Sequence, residues 1–324
     1  MQIGLIGGGA MGSLHARVIG QSDQAHLAFV ADPSPEAHTR LSQRYDVEGL
    51  LTPRLNSIDA IVIASPTDTH AQWCLRAIEA GIPFLVEKPL SRSLTDVEQV
   101  ARESLAAGVS FSVGFVERFN PAIRTMQGII DDPVYFSAIR HSPYSTRVRT
   151  GVASDLLIHD IDLALRSLGG EVDTIVASYA KVHPSSDPGA EDVAEAHLRF
   201  DRGSRLASLS ASRVAQRKIR TITLGGLDRS AELDLIRHDI TIYRHVLNSP
   251  LQEDQPGYRQ ETIMEIPELV GRDEPLMAQL HHFLALVRGE SDPVAEAESV
   301  VRPHAVLAAA DASAAGIGQP VQPT

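Results

Sequence analysis

Cysteine is almost missing from this chain, with Cys74 alone among 324 residues. A single thiol excludes a disulfide framework and a cysteine metal cluster, and it fits a reducing compartment. Cys74 lies in the apolar-periodic stretch HAQWCLRAIEA, where a packed thiol is expected. No apolar run reaches the roughly 18 residues that a membrane-spanning helix needs. The N-terminus has no basic stretch leading into an apolar core, so a secretory leader is not expected. Positive charge is in deficit as well, with 29 Lys and Arg against 41 Asp and Glu and a net charge of −12. That balance argues against nucleic acid or an anionic membrane as the main partner. A cytoplasmic protein is expected.

What remains is ordinary globular material, 43% apolar and 22% charged, and its length suggests two domains. Up to about residue 118, apolar strands alternate with helical segments. The strands are predicted at 2–7, 26–32, 59–65, 82–88 and 109–115, and the helices at 10–19, 35–44, 69–80 and 95–107. Short connections with right-handed crossovers make this a doubly wound parallel sheet. Beyond residue 118 the pattern changes to a short helix at 120–130, a strand at 134–141, a helix from 154, and then a run of strands. In EDVAEAHLRF, Ala194, Ala196, Leu198 and Phe200 alternate with Val193, Glu195, His197 and Arg199. GSRLASLSAS and RKIRTITLGG follow, which predicts a mainly antiparallel sheet with one face on a core. Residues 246–270 read as irregular, and closing helices are expected at 274–288 and 294–314. The fold class is therefore α/β, a doubly wound parallel sheet followed by an α+β domain with a large, mainly antiparallel open sheet.

IGLIGGGAMG places Gly7, Gly9 and Gly12 in G-x-G-x-x-G spacing, directly after a strand and at the start of a helix. The spacing suits a tight turn, close approach of a pyrophosphate to the backbone, and close helix–strand packing. A helix N-terminus adds N–H groups and a favourable dipole. The second strand ends in Asp32, twenty residues past Gly12, where a carboxylate can accept hydrogen bonds from both ribose hydroxyls of NAD. It would repel the 2′-phosphate of NADP, and Arg40 lies a helical turn or two farther on. NAD is the expected cofactor, ahead of NADP.

Ligands of open α/β sheets lie beyond the carboxyl ends of the strands. Ser65, Pro66 and Thr67 in ASPTDTH would face the cofactor, although Thr67 or Asp68 could equally be a helix cap. His70, in the first turn of the next helix, fits packing better than chemistry. Lys88 ends an apolar strand in VEKPL, held before a proline. It is either an exposed strand-end lysine paired with Glu87 or a group presented to the crevice. The cofactor-facing set expected from these turns is Gly7, Gly9, Ala10, Met11, Gly12, Asp32, Ser65, Pro66, Thr67, His70, Glu87 and Lys88.

SDLLIHDIDLAL carries Asp155, His159 and Asp162, with Arg166 beyond, along one line of an otherwise apolar helix. At roughly 100° per residue the four fall in a stripe about 60° wide, narrower than a usual solvated face. One reading is a pair of i,i+4 contacts on a wet face. Another is a functional Asp–His pair, in which imidazole, with an ordinary pKa of about 6.5, serves as general base. A metal held by Asp155, His159 and Asp162 is physically possible, but none is expected. His281 and His282, inside an apolar helix, read as packing.

Four motifs, GLIGGGAMGSLHA, ASPTDTH, EKPL and the D-x-x-x-H of SDLLIHDID, resemble in order and spacing those of the Gfo/Idh/MocA oxidoreductases, over nearly the whole chain. The resemblance implies a Rossmann dinucleotide-binding domain over 1–118 and a substrate-binding and oligomerisation α/β domain over 119–324. Members oxidise or reduce a secondary alcohol of a sugar or cyclitol with NAD(P), and their open sheet often joins subunits, hence an expected homodimer or homotetramer. Lys88 matches the family's active-site lysine of E-K-P, and Asp155 and His159 match its aspartate and histidine. The chain departs from the commonest pattern in carrying Ile158 where many members have glycine. VGFVERFNPAI, DLLIHDIDL and ASRVAQRKIR look like the branch with UDP-N-acetylglucosamine 3-dehydrogenases, with inositol dehydrogenases close by. Arg118, Asn120, Arg147 and His159 are the expected substrate contacts, and Arg213, Arg217 and Lys218 are further candidates for a diphosphate. A dinucleotide-binding regulator without catalysis is the alternative from another class.

Overall fold

The computed structural model describes residues 1–145, 149–237, 239–247, 260–271 and 273–323. Its contacts divide the chain into two units: Met1–Phe119 with Asp273–Ala305, and Asn120–Arg272 with Val306–Thr324. The sequence reading assigned everything after residue 118 to the second domain. Asp273–Ala305 instead clusters with the first unit.

In the first unit β1 (Gln2–Ile6) leads into α1 (Ala10–Gln21), and β2 (His26–Ala31) into α2 (Pro35–Tyr45) and β3 (Glu48–Leu50). Then follow β4 (Ala60–Ile63), α3 (His70–Glu79), β5 (Phe84–Val86), α4 (Leu94–Ala107) and β6 (Phe111–Val113). The sheet order is β3-β2-β1-β4-β5-β6, all parallel. Order reverses between β1 and β4, which makes that point the crevice for a dinucleotide. The strands read as apolar runs because both faces are covered: Ala60, Ile61, Val62 and Ile63 are all buried. Local signals set the helix ends. Ser34 and Ser93 accept from the N–H groups of Ala37 and Asp96, and Gly108 closes α4 in the left-handed region at φ 66°.

The second unit opens with α5 (Pro121–Ile129) and β7 (Tyr135–His141), then a π turn at Ala153–Leu157 that runs into α6 (Ile158–Leu168). β8 (Val172–Ala180), β9 (Val193–Phe200), β10 (Arg205–Ser212), β11 (Ile219–Gly225), β12 (Ser230–Asp234), β13 (Asp239–Leu247) and β14 (Gln260–Glu265) complete an eight-stranded sheet. Its order is β14-β13-β12-β11-β7-β10-β9-β8, antiparallel except where β7 pairs with β10. The β9 alternation is as read: Ala194, Ala196, Leu198 and Phe200 are buried, whereas Glu195, His197 and Arg199 are exposed. Of residues 246–270, read as irregular, 248–259 lie outside the described residues, and the others hold the end of β13 and all of β14.

The chain closes with α7 (Pro275–Val287) and α8 (Pro293–Ala315). Leu276, Leu280, Phe283 and Leu284 of α7 share one core with Ile3 and Leu5 of β1, Ala16 and Ile19 of α1, and Val62 of β4. That shared core is why α7 belongs to the first unit. Among the described residues no helix is long and apolar enough to cross a membrane.

Candidate functional site

The glycine turn is shaped by close approach. A Cβ at Gly7, where φ is +98°, would run into the Ala64 backbone, and one at Gly12 would run into the Gly7 carbonyl. A Cβ at Gly9 would meet nothing within 4 Å. Gly12 therefore lets α1 sit against the end of β1, Gly7 lets the turn pass close to the backbone after β4, and Gly9 leaves an open cradle before a helix that no side chain caps. Asp32 is fixed over this turn, its Oδ2 accepting from the Gly8 N–H at 2.7 Å and its Oδ1 from the Ser34 N–H at 2.8 Å. A carboxylate has further lone pairs to offer the ribose hydroxyls. These residues fit a dinucleotide. Arg40 is nearer than its place in the sequence suggests, since its guanidinium donates to the Gly8 carbonyl at 2.7 Å. Replacing Gly12 with valine is expected to weaken NADH binding about 100-fold by forcing α1 off the turn. Titration of NADH fluorescence checks this, with circular dichroism as the control for folding. An unchanged affinity would remove the turn from the cofactor site.

Beyond β4, Ser65 bonds Thr69 between hydroxyls at 2.7 Å, and Thr67–Thr69 form a short 3-10 turn. No side chain caps that turn or α3, so the capping alternative for Thr67 and Asp68 has no hydrogen bond behind it. His70 is buried, with Nε2 2.7 Å from the Ser65 carbonyl and Nδ1 2.9 Å from the Pro89 carbonyl. Its ring is engaged by the two loops that follow β4 and β5 and is not presented to a ligand. Glu87 is likewise turned inward. Its carboxylate accepts from His15 Nε2 at 2.7 Å and lies against Gly114, where a Cβ would come within 2.7 Å of Oε2. Burial alone would raise the Glu87 carboxyl. The His15 hydrogen bond and charge, with the Lys88 charge, hold it below the usual carboxylate range instead. Lys88 follows directly, joined to Pro89 by a cis peptide.

In the second unit the segment bearing Asp155 and His159 is a π turn running into α6, not one α-helix. The stripe drawn at 100° per residue therefore does not hold across Leu157–Ile158, and such turns are frequent at functional sites. Glu191 holds its start, Oε1 accepting from the Ala153 N–H at 2.7 Å. Asp155 is partly exposed and lines a small depression with Ser142, Ser145, Leu156 and Arg213, whereas His159 is buried. Asp162 is buried and Arg166 exposed, so the line is not one wet face. Among the described residues no group of three or more His, Cys, Asp or Glu could hold a metal ion.

Three of the remaining substrate candidates, Arg118, Asn120 and Arg213, are engaged elsewhere. Arg118 is buried, donates to the Ser299 hydroxyl and carbonyl at 2.9 and 2.7 Å, and lies over the Phe115 ring. Asn120 caps α5, accepting from the Ala122 N–H at 3.0 Å. Arg213 is buried, donates to the Thr150 carbonyl and sits 3.7 Å from Asp192, while Arg217 and Lys218 are exposed. Arg147 lies outside the described residues. His282 meets Glu296 at 3.1 Å. Sequence reasoning missed His15 and His304, and it missed the buried pair of Arg140 and Asp160. One signal was available, since Arg140 shares the inward phase of β7 with Phe136 and Ala138.

Strand order, glycine turn and Asp32 together define a dinucleotide-binding protein of the doubly wound class, with a second, mainly antiparallel unit. Comparison with known proteins narrows this. Residues 1–115 match the model for the oxidoreductase family with an NAD-binding Rossmann fold, and residues 122–232 match the GFO/IDH/MocA C-terminal domain. The chain is 30% identical over 293 residues to UDP-N-acetylglucosamine 3-dehydrogenase of Acidithiobacillus ferrooxidans, covering 88% of each chain. It is 27% identical over 313 residues to scyllo-inositol 2-dehydrogenase (NAD(+)) of Bacillus subtilis, covering 90% of this chain and 87% of that one. The solved structure of the Acidithiobacillus enzyme GnnA superposes with a TM-score of 0.83 at 26% identity, over 98% of this chain and 99% of that chain. The chain belongs to the GFO/IDH/MocA oxidoreductases, and residues 1–115 are their NAD-binding Rossmann domain.

Proposed function

We propose that the protein is an NAD-dependent dehydrogenase of a ring hydroxyl on a nucleotide sugar, with a UDP-N-acetylhexosamine as substrate. The observation that carries the dehydrogenase reading is the open Gly9 cradle beneath a fixed Asp32 carboxylate. The substrate class rests on the likeness to the UDP-N-acetylglucosamine enzyme over 88% of each chain. Bound NAD supplies the hydride acceptor. The residues' part is to place the carbinol and take its hydroxyl proton. His159 accepts that proton, Asp155 orients the ring and stabilises its charged form, and Lys88 hydrogen-bonds the reacting oxygen. Asp32 favours NAD over NADP through its negative charge beside the 2′ position.

The inositol reading is favoured by the likeness to scyllo-inositol 2-dehydrogenase. A panel of UDP-N-acetylglucosamine, UDP-N-acetylgalactosamine, myo- and scyllo-inositol and free aldoses, followed by NADH absorbance, separates the two. Turnover is expected with a UDP-N-acetylhexosamine. Turnover confined to inositols would replace the nucleotide-sugar assignment, and none with any polyol or sugar would favour a binding regulator. The outer face of the second sheet exposes Tyr135, Ile139 and Leu206 at 41%, 38% and 50%, which supports a homodimer or homotetramer formed through it. The single, buried Cys74 supports a cytoplasmic setting.

A further inference from the structure

We propose that three buried histidines, His15, His70 and His304, act as positioning residues for the Glu87–Leu90 loop and through it for Lys88; the inference rests on the reading of Lys88 given above. The three come from different helices, α1, α3 and α8, and each engages a different residue of that loop. His15 Nε2 meets the Glu87 carboxylate at 2.7 Å, and His70 Nδ1 meets the Pro89 carbonyl at 2.9 Å. The Leu90 N–H donates to His304 Nε2 at 3.1 Å. Glu87 Oε2 then accepts from the Lys88 N–H at 3.3 Å, so the residue between the three anchors is tied to one of them. The rings are 1%, 1% and 3% exposed. Apolar side chains would fill such places as well without needing partners, and the polar bonds therefore do something packing does not.

The bonds also fix proton positions. His304 Nδ1 lies 2.7 Å from the Val300 carbonyl, so Nδ1 carries the hydrogen and Nε2 keeps the lone pair that Leu90 needs. An imidazolium could not accept that bond. Burial, with the Arg118 charge, holds the His304 pKa down to about 4, which keeps the acceptor in place through the neutral range. His70 adds a link of another kind, since its second nitrogen reaches the Ser65 carbonyl at 2.7 Å. A neutral ring donates to one of the two carbonyls and an imidazolium to both, and in either form the ring sits between the loop after β4 and the loop after β5. Shifts of about 1 Å in a reacting group can cost 100-fold in rate, which is the scale such anchoring guards against.

The lysines of the chain are Lys88, Lys181 and Lys218, the last two exposed, so lysine-selective 13Cε labelling gives signals assignable by Lys→Arg replacement. The test compares the full chain with His304→Leu, which packs but accepts nothing, and His304→Gln, whose amide oxygen can accept from Leu90. The Lys88 signal is expected to move toward those of Lys181 and Lys218 in His304→Leu and to return in His304→Gln. Turnover should fall about 100-fold and recover in parallel, with KM for NAD unchanged. An unmoved Lys88 signal in folded His304→Leu would overturn the proposal, as would failure of His304→Gln to restore it. Should His304→Leu not fold, His15→Leu and His15→Gln make the same comparison through Glu87. The signal needs no substrate. Normal turnover in Lys88→Ala would thus refute the role of Lys88 while leaving the anchoring separately decided.

Discussion

Lys88→Ala is expected to lower turnover by about 100- to 10,000-fold, the range that a positioned proton-handling group contributes. NADH affinity should stay within about threefold, because the cradle at Gly9 and the Asp32 carboxylate are built by other residues. The expectation follows from the protein's own architecture. The strand before Lys88 is buried on both faces, the preceding carboxylate is locked against His15 and Gly114, and the following residues are bonded to His70 and His304. An amine held on so constrained a loop serves chemistry better than solubility. His159→Ala should match it in kcat and in retained cofactor binding, because in the proposed mechanism His159 takes the hydroxyl proton while Lys88 holds the oxygen that loses it. Stopped-flow turnover beside NADH fluorescence titration separates the two quantities. Near-normal turnover in both variants would refute the proposed assignment of Lys88 and His159 to the reaction.

The Rossmann unit was legible because its signals are local. Strands covered on both faces read as apolar runs, and Gly7, Gly12 and Asp32 keep a fixed spacing that the phosphate and ribose impose. β3 escaped notice because three residues, none of them buried, leave no periodicity. The place of α7 was hidden for a different reason. HHFLALV shows an apolar helix, but nothing in it says that Phe283 packs beside Leu5 rather than against the second sheet. The candidate site was only partly open to sequence reading. Lys88, Asp155 and His159 stood out as polar residues in apolar settings, whereas the groups that hold them did not. His15 and His304 look like ordinary helix residues until their partners, 72 and 214 positions away, are known. The arginines misled in the opposite sense. A guanidinium near a motif suggests a phosphate ligand, yet Arg118 and Arg213 are taken up by carbonyls, hydroxyls and carboxylates of their own units. The π turn was also out of reach, since an α-helical wheel assumes the regularity that Ala153–Leu157 lacks.

Asp160→Ala is expected to destabilise the protein by about 3–5 kcal/mol, the cost of removing one partner of a buried ion pair. Asp160 lies beside His159 in α6 and is 1% exposed; Arg140, on the inward face of β7, is 3% exposed. Their bond is bidentate: Nη2 donates to Oδ1 at 2.8 Å, and Nε lies 3.0 and 3.1 Å from Oδ2 and Oδ1. Removing the carboxylate takes the bidentate partner from a guanidinium that is almost wholly buried. Pairing Arg140→Met with Asp160→Leu should recover most of the loss, because a buried ion pair exchanged for apolar groups of similar volume is often neutral. Urea unfolding of Arg140→Met, Asp160→Leu and the double variant measures the coupling. A loss below about 1 kcal/mol in Asp160→Ala would mean that the pair is solvated and holds nothing. If the double variant is stable but has lost turnover, the pair's contribution is to the direction of α6. The guanidinium then fixes the helix against β7 so that the neighbouring His159 ring keeps its aim.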